Sequence, residues 1–261
     1  MKNFARGFLS VALLVMGIVM CTTFSSAAAY KFKTIKGQQA LSNGKTAYYL
    51  VTKGKKTTLY KYNVKKKKSA KLKTIKNGKA LYYLSAVASG KVYLDKLVYN
   101  KSNYTTTHTV CSVSIKKKKL KTEMKNFEIR AFSGDYMLCV KCNGEDCDVQ
   151  TMLLAQSTKK KLKKIKTLTK HGNFFGQYKD RIYYGEYPVD SFGVPLKSSI
   201  SVYSVNRKGK DLINYFTYTS PIPSGIVFGG YVYKDGIAFQ TDEGGKLYNF
   251  KTKTIEENDI N

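Results

Sequence analysis

The chain repeats itself at a period longer than any single hairpin. KFKTIK (31–36) returns as KLKTIK (71–76), and NGKTAYYL (43–50) returns as NGKALYYL (77–84). FGQYKDRIYYG (175–185) is matched by FGGYVYKDGIAF (228–239) with insertions, and AFSGDYMLCV (131–140) keeps the same order of aromatic, Gly, polar and apolar residues. Each unit thus opens on a Gly or Asp turn and a Tyr-rich strand. A further strand follows: TLYKYNV (58–64), TVCSVSI (109–115), TMLLAQS (151–157), ISVYSVN (200–206) and KLYNF (246–250). Measured on Leu59, Val110, Leu153, Val202 and Leu247, successive units stand 51, 43, 49 and 45 residues apart. After a polar turn comes another strand, as in AKLKTIK, KLKTEMK, KLKKIKTL and DLINYFTYT. About four strands per period of ~40–50 residues describe a stack of blades, because one small sheet cannot bury its own apolar faces and needs neighbours to cover them.

Apolar and aromatic residues alternate with polar ones in these segments, the period-2 pattern of half-buried strands. Helical periodicity is nearly absent after residue 29. At 43% hydrophobic and 13% aromatic the chain is too apolar for a disordered one. The expected fold is therefore all-β, a β-propeller of about five antiparallel blades. A β-sandwich is the alternative that antiparallel strands with irregular loops also allow. The segment 30–36 reads as the last strand of a unit that lacks its beginning, and the C-terminal unit has a short, acidic final strand. Pairing of the N-terminal strand with the last blade would close the ring and remove two sheet edges.

The strands NGKALYYL, KDRIYYG and KDGIAF, followed by LYKYN or KLYNF, resemble the β-propeller repeats of exported Gram-positive proteins related to the YWTD propellers of the low-density-lipoprotein receptor. The chain departs from the receptor pattern in having no Trp and no Tyr-Trp-Thr-Asp. The resemblance covers most of residues 30–261. It implies a binding or scaffold module and transfers no catalytic residue.

The first 29 residues read as an address. Lys2 and Arg6 precede an apolar core, VALLVMGIVM (11–20), and Ala27, Ala28 and Ala29 offer a small-x-small cleavage site. Residues 1–29 are expected to be a secretory signal, and 30–261 a single propeller domain of a secreted or cell-envelope-associated protein. A retained membrane anchor is the alternative, since no charge occurs between Arg6 and Lys31. Cys21 does not suggest lipidation, because Met20 precedes it where a small residue is required.

Charge is the outlying property. Lys and Arg number 46 against 17 Asp and Glu, a net charge of +29, and the only Arg are Arg6, Arg130, Arg181 and Arg207. The lysines are grouped: Lys65, Lys66, Lys67 and Lys68; Lys116, Lys117, Lys118 and Lys119; Lys159, Lys160, Lys161, Lys163 and Lys164; then Arg207, Lys208 and Lys210. All four groups fall in the turn between the third and fourth strands of a blade. The turns between first and second strands, assigned to residues 43–45, 77–79, 179–181 and 234–236, would lie at the same end. One face of the disc would then carry a positive potential that concentrates polyanions. Solvated hairpin tips that discourage edge pairing are the simpler reading, but the charge far exceeds the ~2–8 that solubility requires. Lys in place of Arg favours diffuse, salt-sensitive attraction over bidentate recognition. For an exported chain the anionic partners are wall polymers, acidic polysaccharide and lipid headgroups. Nucleic acid is the least expected.

A second candidate surface is the loop at 185–199, with Glu186, Tyr187, Asp190 and Phe192 stiffened by Pro188 and Pro195. Aromatics beside carboxylates suit a carbohydrate or protein partner. Cys142 and Cys147 flank NGED and are expected to pair as a disulfide across a hairpin with residues 144 and 145 at its tip. Cys111 and Cys139 are then the residual pair. Zinc held by C-x2-C-x4-C with His108 or Cys111 is the alternative. His108 and His171 read as surface residues. No nucleophile elbow, zincin helix or phosphate loop occurs, and the pairs Glu186–Asp190 and Asp242–Glu243 are candidates for a glycosidase only because acids are scarce. The expected function is non-catalytic binding, with no cofactor and no metal.

Overall fold

The computed structural model describes residues 30–102, 105–143, 147, 149–222 and 225–258. These hold twenty β-strands, antiparallel throughout, and no helix. The expected signal at 1–29 lies outside the described residues. So do residues 144 and 145 of the NGED turn.

Unit 1 comprises β1 (Lys31–Ile35), β2 (Gln38–Ser42), β3 (Thr46–Lys53), β4 (Lys56–Asn63) and β5 (Lys68–Lys76), and unit 2 β6 (Ala80–Ala88), β7 (Lys91–Asn100), β8 (Thr105–Ser114) and β9 (Leu120–Lys125). A seven-stranded sheet follows: β10 (Glu128–Ser133), β11 (Tyr136–Cys142), β12 (Gln150–Ser157), β13 (Leu162–Tyr178), β14 (Arg181–Glu186), β15 (Ser199–Asn206) and β16 (Ile213–Thr219). The first half of β13 pairs with β12 and its second half with β14. One 17-residue strand is thus the outer strand of unit 3 and the inner strand of unit 4. Gly172 sits at the crossover, paired on both sides, and a Cβ there would lie 2.3 Å from the Gly185 carbonyl oxygen. Unit 5 comprises β17 (Val227–Val232), β18 (Gly236–Thr241), β19 (Gly244–Asn249) and β20 (Ile255–Glu257).

The units pack face to face in chain order, as propeller blades do. Leu41, Tyr48 and Leu59 of unit 1 meet Leu84, Val92 and Leu94 of unit 2. Tyr93 and Val110 on the other face of unit 2 meet Met137, Cys139 and Leu153 of unit 3. Leu138, Met152 and Leu154 meet Ile182, Tyr184 and Val205 of unit 4. Phe175, Tyr183 and Val202 meet Ile237, Phe239 and Tyr248 of unit 5. Strands of the middle units are buried on both faces, which is why TMLLA and YMLCV read as unbroken apolar runs while the outer strands alternate.

The N-terminal strand departs from expectation. β1 does not join unit 5; it pairs with β2, Lys31 opposite Ser42 and Ile35 opposite Gln38. Lys36 and Gly37 both have positive φ, 53° and 70°, the two-residue turn that folds a strand onto its chain neighbour. Closing a two-residue loop costs far less chain entropy than pairing across the whole domain. Unit 5 completes its own sheet with β20, and among the described residues no strand of unit 1 pairs with one of unit 5. The outward face of unit 1 is instead filled by its own Ala40, Ala47 and Tyr49 under Ile35, Val51, Tyr60 and Tyr62.

Candidate functional site

One backbone hydrogen bond recurs in all five units and fixes where the lysines lie. In units 2–5 the residue entering the turn between the third and fourth strands donates its N–H to a carbonyl in the turn between the first and second; in unit 1, where β1 precedes the repeat, the same bond links the β4–β5 turn to the β2–β3 turn. The pairs are Val64 to Lys45 (3.1 Å), Ile115 to Gly90 (3.0 Å), Ser157 to Asp135 (2.7 Å), Arg207 to Asp180 (3.2 Å) and Phe250 to Asp235 (3.0 Å). Both kinds of turn therefore sit at one end of every unit, and the repeat position of the lysines becomes a rim. Lys65, Lys66, Lys67, Lys116, Lys117, Lys118, Lys119, Lys159, Lys160, Lys161, Lys208 and Lys210 are exposed in those turns, while Lys68, Lys163 and Lys164, expected in the turns, are exposed residues at the start of the strands that follow, β5 and β13. Arg207 lies at the rim but is half-buried, with Nη1 donating to Ser133 Oγ at 3.4 Å, so it fastens unit 4 to unit 3.

The turns are held by short side chains that leave the lysines free to point outward. Asn63 Oδ1 accepts from Lys66 N at 2.9 Å, Ser114 Oγ from Lys117 N at 3.1 Å, and Thr158 Oγ1 from Lys161 N at 3.1 Å. Lys67 and Lys118 take positive φ, 50° and 52°, the left-handed position where glycine is the default. Between units 3 and 4 the rim opens into a cleft of about 430 Å³ lined by Lys163, Lys164, Lys208 and Lys210 with Tyr136, Gln156 and Ile165. Four of its seven lining residues are lysines, and Ile165 among them is exposed.

Charge is strongest at unit 1, whose strands and turns (31–76) contain 15 Lys and no Asp or Glu. Two rim residues escaped the sequence reading. Lys251 and Lys253 occupy the equivalent turn of unit 5, and the signal was their position directly after KLYNF. One expectation was misplaced: residues 77–79 connect unit 1 to unit 2, and the first turn of unit 2 is Ser89–Gly90. The likeness of NGKTAYYL to NGKALYYL equated a second strand with a first.

The 185–199 loop is a small finger at the opposite end. Tyr187 is not available to a partner: it is 2% exposed, and its hydroxyl donates to the Val227 carbonyl at 2.8 Å. Asp190 is engaged in the finger's own turn, Oδ1 accepting from Phe192 N at 2.9 Å and Val194 N at 2.8 Å. Glu186 is half-buried at the end of β14. Phe192 alone fits the expected contact role, 90% exposed at the tip. Of the second acidic pair, Glu243 accepts from Tyr218 Oη at 2.7 Å and pairs with Lys246 at 3.6 Å.

Cys142 and Cys147 form a disulfide with 4.7 Å between their Cα atoms. They do not face each other across strands, since Cys142 stands opposite Gln150 and Cys147 lies within the loop. Cys111 and Cys139 are free and buried in different seams, on opposite faces of unit 2. Burial pushes the Cys139 thiol up to about 12, so it behaves as a small apolar side chain. His171 lies within β13 and is half-buried, its carbonyl accepting from Tyr187 N. His108 is not a surface residue. Its ring is 16% exposed in the seam between units 2 and 3, with Nδ1 2.7 Å from Asp95 Oδ2.

No protein-family model matches the chain, and no curated protein matches it. Solved structures with a similar course include an oligogalacturonate lyase from Vibrio parahaemolyticus (13% identity, 81% of this chain and 61% of that one, TM-score 0.44). The β-propeller domain of the trilobed protease from Pyrococcus furiosus shares 12% identity over 90% of this chain and 84% of that one, at a TM-score of 0.34. TolB from Acinetobacter baumannii shares 8% identity over 81% of this chain and 50% of that one, at 0.36. The chain spans less than two thirds of the lyase and of TolB.

Proposed function

We propose that this protein is a non-catalytic, exported β-propeller that binds an anionic wall polymer or acidic polysaccharide along its lysine rim. The observation that carries the reading is the recurrent turn-to-turn hydrogen bond, which sets the turn that carries the lysines beside the turn between the preceding strands at one end of each unit. Lysines on hairpin tips make few directional contacts, so affinity should come from many weak, additive ion contacts and counterion release. The cleft between units 3 and 4 gives the rim one concave point of purchase.

The test is retention on a teichoic-acid or polyphosphate matrix at ~0.05 M and ~0.5 M salt, a range over which the screening length falls severalfold. Binding at low salt and elution at high salt are expected. Retention that survives high salt but is lost in Phe192→Ala would replace the rim with the finger.

A further inference from the structure

The seam between units 2 and 3 holds a group of side chains that the rim does not use. Asp95 on β7 and His108 on β8 share one sheet face, because His108 pairs with Leu97 two residues from Asp95. Glu128, the first residue of β10, enters from unit 3. The linker before it is tied down by Asn126 N donating to the His108 carbonyl at 2.9 Å. One donor atom from each of the three side chains lies within 4.8 Å of the others. The side chains are only 11%, 16% and 15% exposed for Asp95, His108 and Glu128.

Hydrogen bonding within the group does not close. His108 Nδ1 carries at most one hydrogen, and two carboxylates converge on it, Asp95 Oδ2 at 2.7 Å and Glu128 Oε2 at 3.8 Å. Asp95 is 8% exposed, and its second oxygen, Oδ1, is buried without any hydrogen-bond partner. An unpaired buried carboxylate oxygen costs more than a lost neutral hydrogen bond. A cation at the centre would satisfy the imidazole nitrogen and both carboxylates at once. Arg130 Nη2, 2.6 Å from Glu128 Oε1, would then orient Glu128 from behind, as partners in the outer shell of metal sites do.

We propose that Asp95, His108 and Glu128 form a binding site for a divalent transition-metal cation, of which Zn²⁺ is the best match. One imidazole and two carboxylates are the nitrogen and oxygen set that Zn²⁺ accepts. Ca²⁺ and Mg²⁺ require six or more oxygens, and no thiolate is present for Cu⁺. Zinc bonds of ~2.0–2.1 Å place tetrahedral donors about 3.3 Å apart. The 2.7 Å contact would open and the 3.8 Å contact close, each by less than about 1 Å. Three protein ligands leave a fourth position for water. Because the ligands come from two units, bound metal would clamp the seam.

The test is calorimetric titration of the purified chain, disulfide intact, with ZnCl₂, together with the absorption spectrum of the Co²⁺ form. One Zn²⁺ per chain is expected, with tetrahedral Co²⁺ bands that Zn²⁺ displaces. Asp95→Asn and His108→Gln should each weaken Zn²⁺ by at least about 100-fold, and Arg130→Gln by about 10-fold, while His171→Ala leaves binding unchanged. A wild-type chain without saturable binding, or with octahedral Co²⁺ bands alone, overturns the proposal whatever the variants do. So does binding that persists in Asp95→Asn and His108→Gln or vanishes in His171→Ala.

Discussion

The charges of the rim and those of the seam between units 2 and 3 obey opposite rules. At the rim, Lys65–Lys68 and their counterparts stand in water with no acid held against them. In the seam Lys91 is 7% exposed and lies 3.1 Å from Glu123, whose carboxylate is 1% exposed. Glu123 also accepts from Ser112 Oγ at 2.7 Å and from Leu162 N at 2.9 Å. One carboxylate thus joins three strands of unit 2 to the start of β13. The difference teaches where charge holds the fold and where it is left over for a partner. The same residue type is structural when desolvated and paired, and contributes almost nothing to stability when solvated.

The largest effect that sharpens this contrast is at Glu123. Glu123→Gln leaves Lys91 buried beside a neutral amide and should cost about 3–5 kcal/mol in denaturant unfolding. Burial opposes the Glu123 charge, but the Leu162 amide, Ser112 and Lys91 outweigh it and hold the carboxyl below its ordinary pKa. A group depressed in the folded state contributes stability at pH above its unfolded pKa, about 4.3, and loses it as pH falls through the folded value. The wild-type advantage over Glu123→Gln should therefore be full at pH 7 and shrink below about pH 4. A constant gap would mean that the amide's shape, and not the charge, is at fault.

A middle-sized effect belongs to the finger's root. Tyr187→Phe removes the one donor that Tyr187 gives to the Val227 carbonyl across units 4 and 5 and should cost about 1–2 kcal/mol. Rim binding should be unaffected, which thermal melts and matrix retention can check side by side.

Much of this contrast was legible in the sequence, and the illegible part has a physical cause. The repeat spacing disclosed the units, and the grouped lysines disclosed the rim, because both are written in local pattern. The Cys142–Cys147 pairing was legible for the same reason, being only 5 residues apart. The partners of Asp95, His108 and Glu123 were not, since each is met by a residue 13 to 39 positions away across strand pairs or a unit seam. His108 looked exposed because TTTHTV is polar. Only the packing of unit 3 against that face buries it. The course of β1 was misread for another reason: its likeness to a unit's last strand outweighed the Lys36–Gly37 turn, which is a purely local instruction.

A smaller effect comes from Lys67, and it carries the opposite sign. Lys67 holds φ at 50° with its side chain in solvent. An L-residue there pays ~1–2 kcal/mol of steric cost that glycine avoids, less the ~0.5–1 kcal/mol of extra unfolded-state entropy that glycine brings. Lys67→Gly should thus stabilise the fold by about 0.5–1 kcal/mol while weakening retention on the anionic matrix. If stability rises and retention is unchanged, lysine at this turn serves no binding role.

The smallest expected change in stability is the one that bears most on function. Replacing Lys65, Lys66, Lys67, Lys68, Lys116, Lys117, Lys118 and Lys119 with Gln removes eight charges whose side chains are exposed. Exposed substitutions away from packing contacts shift stability by about 0.5 kcal/mol or less, and relief of like-charge repulsion works in the stabilising direction. The turns themselves should persist, because Asn63 and Ser114 hold them through backbone amides that Gln also has. Retention should nevertheless collapse, and the dependence of log K on log salt should become shallower by up to about 0.7–0.9 for each lysine that contacts an anionic group. An unchanged slope with unchanged stability would show that units 1 and 2 are bystanders and move the contact to the cleft of Lys163, Lys164, Lys208 and Lys210. A large loss of stability would mean the rim lysines are structural after all, and the division between rim and seam would fail.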